Sequence, residues 1–207
     1  MCLNVARLAK SILRTLSTWG DGMNRMTSTT SEVVLLNDDG TPSGTARKDL
    51  VHTTETPLHL AFSCHVLNPD GQVLISRRAL GKLTWAGVWT NAFCGHPQPD
   101  EPMADAVARH AEHELALTVR DVTVELPTFS YRATDASGIV ENELCPVHLA
   151  VTDAEPSPHP DEVVETRWCD PADVGVALRA APWAFSPWFV LQARELALYG
   201  APTSDRA

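Results

Sequence analysis

Long apolar runs are missing from this 207-residue chain, and nothing approaches the roughly 18 consecutive apolar residues of a membrane helix. Lysine is scarce, limited to Lys10, Lys48 and Lys82, and the formal net charge is −10. That balance argues against a protein that wraps nucleic acid, which needs clustered basic groups to displace counterions. The five cysteines (Cys2, Cys64, Cys94, Cys145 and Cys169) are odd in number and contain no CxxC pair. Neither a disulfide framework nor a zinc ribbon is indicated, and the four thiols other than Cys94 read as reduced, in the cytoplasm. No internal repeat shows. What is present is 44% hydrophobic content, enough for the core of one ordinary domain. An acidic chain that handles an anion must place its few cations locally.

Residues 1–30 differ from the rest. Val5 to Arg14 carries three cations at helical apolar spacing, too broken for a secretory core, and Met23 to Ser31 is polar and rich in Thr and Ser. We expect a disordered or dispensable leader over 1–30, or a start placed upstream of Met26, with a tail over 201–207. Between them, 31–200 reads as the domain. Glu32 to Leu36 predicts a strand. Leu58 to Leu67 and Gln72 to Ser76 predict a hairpin about the Asn68-Pro69-Asp70-Gly71 turn. Trp85 to Cys94 mixes loop and strand, and Glu101 to Leu117 is a helix. Val122 to Ala133 and Ile139 to Val151 predict two strands, and Val163 to Cys169 a further one. Helices follow over Pro171 to Ala180 and Ser186 to Tyr199, the latter with Pro187 in its first turn. Strands outnumber helices without regular interleaving. The expectation is a single-domain α+β fold, a mixed β-sheet flanked by helices.

Four clusters could carry chemistry. Glu141 and Glu143 sit two apart on a strand and share a face, as either a solvated surface or a site where a cation relieves their repulsion. Cys94 and His96 flank Gly95, which allows a close approach. His52 and His59 lie in a polar entry to a strand. These histidines and carboxylates could bind a divalent transition metal, although spacing does not single them out. His65 would share a strand face with His59, and His110 and His113 are also available. Arg77, Arg78 and Lys82, with Lys48, could hold a diphosphate or form a solvated patch. Pro182 to Trp188 is unusually aromatic and taken alone reads as core packing.

Taken jointly, LHLAFS, RRAL, GVWTN, CGHPQ, YRATDASGIVENELCPV, WCD and PWAFSPW resemble, in order from about residue 32 to 198, the type I isopentenyl-diphosphate isomerases. The resemblance implies a Nudix-like fold and a Mn2+ or Zn2+ site of His52, His59, His96, Glu141 and Glu143. It implies Cys94 and Glu143 as the catalytic pair, with Tyr131 beside the reacting carbons. Glu114 would help hold a Mg2+ bound to the substrate diphosphate. Lys48, Arg78 and Lys82 would contact the diphosphate, and Trp183 would cover the isoprenoid end. The implied partner is isopentenyl diphosphate, with no nucleic acid or membrane, for a monomer or weak dimer. The Nudix hydrolase box is partly present, since Gly95, Glu101, Arg109 and Glu114 keep its spacing. His110, His113 and Ala116 replace two box Glu residues and a Gly, which weakens a hydrolase reading because such enzymes need those carboxylates for metal. A non-catalytic diphosphate-binding module is a third possibility. His110 stands where an arginine is common in the isomerases.

Overall fold

Three apolar stretches that read as continuous strands in the sequence each break in two, and the breaks divide the protein into two sheets. The computed structural model describes residues 31–200; the expected leader and tail lie outside the described residues. The hairpin β1 (Glu32–Leu36) and β2 (Pro42–Arg47) comes first, then the single turn α1 (Lys48–Val51). The stretch ending at Leu67 splits at Ala61 into β3 (His59–Leu60) and β4 (Phe62–Leu67). β5 (Val73–Arg78), β6 (Trp89–Thr90) and β7 (Phe93–Gly95) lead into α2 (Met103–Leu115). The next stretch splits at Pro127 into β8 (Arg120–Leu126) and β9 (Ser130–Thr134), and the third at Cys145-Pro146 into β10 (Val140–Leu144) and β11 (Val147–Val151). β12 (Val163–Cys169), α3 (Pro171–Ala180) and α4 (Pro187–Glu195) complete the fold, with 3-10 turns at Pro182–Ala184 and Ala197–Tyr199.

One sheet runs β2-β1-β3-β10-β9 and the other β12-β5-β4-β11-β8, with β6 on β5 and β7 on β4. The expected mixed sheet is therefore two mixed sheets. Pro127 and Pro146 lack the N–H that would continue a ladder, so each break falls where pairing is already interrupted. β3 pairs in parallel with β10 and β4 in parallel with β11. The two chains stay side by side through the change, joined by Ala61 N–H to the Leu144 carbonyl (2.9 Å) and Ser63 N–H to the Pro146 carbonyl (3.1 Å). β2 escaped the sequence reading: Pro42, Gly44 and polar neighbours mask a strand. Its place at a sheet edge tolerates them.

β4 is buried on both faces. Phe62, Cys64 and Val66 pack with Val107, Ala111 and Leu115 of α2. The side carrying Val73, Ile75 and Tyr131 packs under Val174, Leu178, Trp188 and Phe189 of α3 and α4. Burial of both faces removes the alternation expected of a half-exposed strand. Asp170 caps α3 by accepting from Ala172 N–H, as its position before Pro171 suggests. α2 ends at Ala116, whose φ of +51° is left-handed at the position where the box would have glycine. The last predicted helix stops at Glu195, before the Ala197–Tyr199 turn. No helix among the described residues is long and apolar enough to cross a membrane.

Candidate active site

The bend between the sheets gathers the polar residues. In register, His59 lies beside Glu143 and Glu143 opposite Tyr131, while Ser63 lies opposite Cys94. His52 reaches in after α1, and His96 follows β7. One ligand atom from each of His52, His59, His96 and Glu143 falls within 4.8 Å of the others. Glu143 Oε1 is 3.1 Å from His96 Nε2 and 3.4 Å from His59 Nε2. Glu141 stands at the edge, its Oε2 3.0 Å from His52 Nε2 and its Oε1 accepting from Thr84 at 2.7 Å. Glu141 and Glu143 do share a face, but a buried one: they are only 7% and 5% exposed, so the solvated-surface reading fails.

The cluster suits a divalent metal. His59 Nδ1–H donates to the Pro57 carbonyl at 3.0 Å, which leaves its Nε2 lone pair facing the cluster. His52 Nε2 is buried without hydrogen-bonding geometry to any partner. Two further nitrogens and a carboxylate oxygen meet it, the donor set of a transition-metal site. Burial works against the charge of Glu143, but His59 and His96 prevail and hold its carboxyl well below the usual range. Burial pushes His96 down to about 4 despite Glu143 beside it.

Cys94 contacts Ser63 Oγ at 3.2 Å and Asn91 Oδ1 at 3.4 Å. Burial pushes its thiol up to about 12, and raises the Tyr131 hydroxyl well above its ordinary value, helped by Glu143. The Tyr131 ring lies 5.7 Å from that of Trp188, which stacks edge-on with Trp85 at 5.5 Å. The aromatic wall beside Tyr131 thus comes from Trp188, 3% exposed, whereas Trp183 is 83% exposed on its 3-10 turn. Both tryptophans belong to the PWAFSPW segment, and nothing in that segment alone tells them apart.

The expected anion contacts divide. Lys48 is exposed as a residue, yet crowding of its ammonium lowers its pKa, against the pull of Glu114; Lys82, Arg109 and Glu162 also act on it. Lys82 pairs with Glu162. Arg78 donates to the Thr84 and Trp85 carbonyls and lies 5.1 Å over the Trp188 ring, so much of its guanidinium is already engaged. Glu114 is buried and bonded to His110 Nδ1 at 2.9 Å, apart from the histidine cluster. The His110 ring lies so close to Gly95 that a Cβ there would collide with it, so the glycine admits a side chain of the protein itself. Arg109 grips Glu101 and donates to the His96 carbonyl at 3.1 Å, bracing a cluster residue from behind. His65 stays outside the histidine cluster and turns instead to Tyr199 and Gln192. Ser63, Thr84 and Asn91, all unnoticed in the sequence, hold Cys94 and Glu141.

Comparison with known proteins agrees with this architecture. The NUDIX domain family matches residues 57–189. An isopentenyl-diphosphate Delta-isomerase of Agromyces mediolanus is 59% identical over 174 residues, covering 84% of this chain and 84% of that protein. One from Kocuria rhizophila is 60% identical over 171 residues, 83% of this chain and 95% of that protein. Among solved structures, a protein of Deinococcus radiodurans superposes with a TM-score of 0.55 at 18% identity, over 72% of this chain and 89% of its own, a likeness of fold alone. Fold, cluster and sequence identity converge: the chain belongs to the isopentenyl-diphosphate Delta-isomerase family, built on a NUDIX domain.

Proposed function

We propose that the protein converts isopentenyl diphosphate to dimethylallyl diphosphate in isoprenoid biosynthesis, with residues 31–200 carrying the activity. The observation that carries the reading is the meeting of Cys94, Glu143 and Tyr131 at a buried His/Glu cluster in a member of this family. An isolated alkene has no electron sink, so removing an allylic proton first would leave an unstabilised carbanion. Protonation of the terminal carbon gives a tertiary cation, and loss of a proton from the neighbouring methylene completes the shift. The reaction therefore needs an acid and a base around one carbon skeleton. Burial keeps the Cys94 thiol protonated at rest, while the histidines beside it keep Glu143 ionised. Cys94 is thus the proton-bearing member of the pair, with Tyr131 at hand to move a proton beside Glu143.

His52, His59, His96 and Glu143, with Glu141 at their edge, would hold a Mn2+ or Zn2+ ion, and Glu114 would help hold Mg2+ carried on the diphosphate. When bound, such ions would supply fixed positive charge that offsets the charge of Glu143 and of the substrate. Lys48, Arg78 and Lys82 face the diphosphate in this reading. Trp183 would cover the isoprenoid end with a face that stabilises a cation without attacking it. The protein works as a cytoplasmic monomer or weak dimer. Incubation with isopentenyl diphosphate and Mg2+, with and without Mn2+ or Zn2+, should yield the acid-labile allylic isomer. No isomer under any of these conditions would refute the proposal, and phosphate or pyrophosphate release from nucleoside diphosphates would favour hydrolysis.

A further inference from the structure

Four polar side chains with no part in the chemistry above are essentially sealed from solvent where α4 and the Ala197–Tyr199 turn meet β4: Ser63, His65, Gln192 and Tyr199. They form one line. The Tyr199 hydroxyl is 2.7 Å from His65 Nδ1, and His65 Nε2 is 3.0 Å from Gln192 Oε1. Gln192 Nε2 is 2.8 Å from Ser63 Oγ, and Ser63 Oγ is 3.2 Å from Cys94 Sγ.

The line has a direction. Burial pushes His65 down to about 4, so its ring is neutral and carries one N–H. With Tyr199 donating to Nδ1, that N–H lies on Nε2 and donates to Gln192 Oε1. The Gln192 amide N–H then donates to Ser63 Oγ. Since the serine oxygen already accepts from Gln192, its own proton is free for a sulfur. Cys94 has a separate acceptor for its S–H in Asn91 Oδ1, at 3.4 Å. The Asn91 amide is fixed the right way round, because its Nδ2 donates to the Cys64 and Phe93 carbonyls at 3.0 and 2.8 Å. Cys145 Sγ, 3.4 Å from Ser63 Oγ, can add its S–H to the serine oxygen. Every donor and acceptor is then matched, and the serine proton points at the Cys94 sulfur. The β4–β7 ladder, which sets Ser63 opposite Cys94, enforces the contact.

We propose that Ser63 is a positioning residue for Cys94, its hydroxyl held by Gln192 so as to fix the thiol's direction and keep a donor on the sulfur throughout turnover. This rests on the reading above that Cys94 handles a proton during isomerisation. The serine proton never leaves its oxygen. A line of polar groups that merely satisfied one another would contribute to folding but not to turnover, and the two roles separate by experiment.

With the metal-loaded enzyme, kcat and KM for isopentenyl diphosphate, bound metal and melting temperature are measured for Ser63→Ala, Ser63→Thr and Gln192→Met. Ser63→Ala should lower kcat by about tenfold, the effect of losing one hydrogen bond to a group that gains charge. KM should stay within twofold and metal content should not change. Ser63→Thr keeps the hydroxyl and should recover most of the rate, and Gln192→Met should fall between parent and Ser63→Ala. If the extra methyl of Ser63→Thr prevents folding, Gln192→Met carries the test. A Ser63→Ala enzyme within twofold of the parent, or a folded Ser63→Thr no faster than Ser63→Ala, overturns the inference. So does a rate loss that only tracks lost metal or lost stability. An active parent with an inactive Cys94→Ala leaves the isomerase reading standing whatever Ser63 does. An inactive parent, or a fully active Cys94→Ala, removes both.

Discussion

Trp183 is 83% exposed on the turn Pro182–Ala184 and has almost no core packing to lose. Replacing it should therefore move the unfolding free energy by no more than about 0.5 kcal/mol, as for other surface changes. Trp188, at 3% exposure beside Tyr131, is the contrast: truncation to Leu should cost several times as much, on the order of 2 kcal/mol. If the exposed indole covers the isoprenoid end, the carbocation feels its π face. Trp183→Phe retains a smaller face and should retain part of the activity. Trp183→Leu keeps the position apolar without a π face, and its barrier should rise a further ~1–2 kcal/mol, roughly five- to thirtyfold in kcat. The assay is steady-state formation of the acid-labile product, with melting temperatures taken on the same preparations. Equal turnover of folded Phe and Leu variants would remove Trp183 from the mechanism. A large fall in melting temperature would show that it is packed after all.

Replacing His96 by Asn should empty the histidine site and abolish isomerisation, whereas Glu114→Gln should mainly raise the Mg2+ concentration needed; identical metal titrations of the two variants would contradict two separate sites. His65 gives a pH signature. Its folded pKa of about 4 lies below the ordinary 6.5, so between these values the unfolded chain binds the proton that the folded one refuses. Its stabilising contribution is complete above pH 6.5 and falls by about 3 kcal/mol as pH drops to 4. Denaturant midpoints of His65→Gln should lose that part of the acid slope, and an unchanged slope would refute the assignment. Ala116→Gly should raise stability by ~0.5–1 kcal/mol, because the left-handed φ strains alanine more than glycine's extra unfolded-state freedom costs; an unchanged or lower denaturant midpoint would contradict it.

The parts of the site legible in the sequence were those that travel as local words. CGHPQ carries Cys94 and His96 together, and VENEL carries Glu141 and Glu143 on one face, so residue type and period pair them, and the resemblance supplies the rest. Of the five proposed metal ligands, His52, His59, His96 and Glu143 lie within 4.8 Å of one another, and Glu141 stands beside His52. What escaped was set by tertiary context. Counting along the strand from His59 cannot separate His65 from the cluster; its partners Tyr199 and Gln192, 134 and 127 positions away, do so. Ser63 and Gln192 are 129 positions apart, and neither has a local signature; they are neighbours because α4 lies over β4. The two PWAFSPW tryptophans are equally aromatic, and only the fold exposes one and buries the other. Among the elements, helices and hairpin were legible from period and turn residues. The division into two sheets was not, since a strand interrupted by one proline looks continuous to a pattern of apolar residues.

The bend has a further consequence for the life of the molecule. His59 and Glu143 stand on one sheet, and His96 extends from a strand of the other. An ion held by all three is a cross-link closed after folding, tying the two halves where their shared strands turn. Its release would loosen the seam before either sheet frays, and amide protons of β3 and β10 would exchange sooner than those of β4. Affinity for the ion is then also resistance to unfolding. With such an ion in place, the supply of metal would set how long each copy of the fold lasts as well as how fast it works.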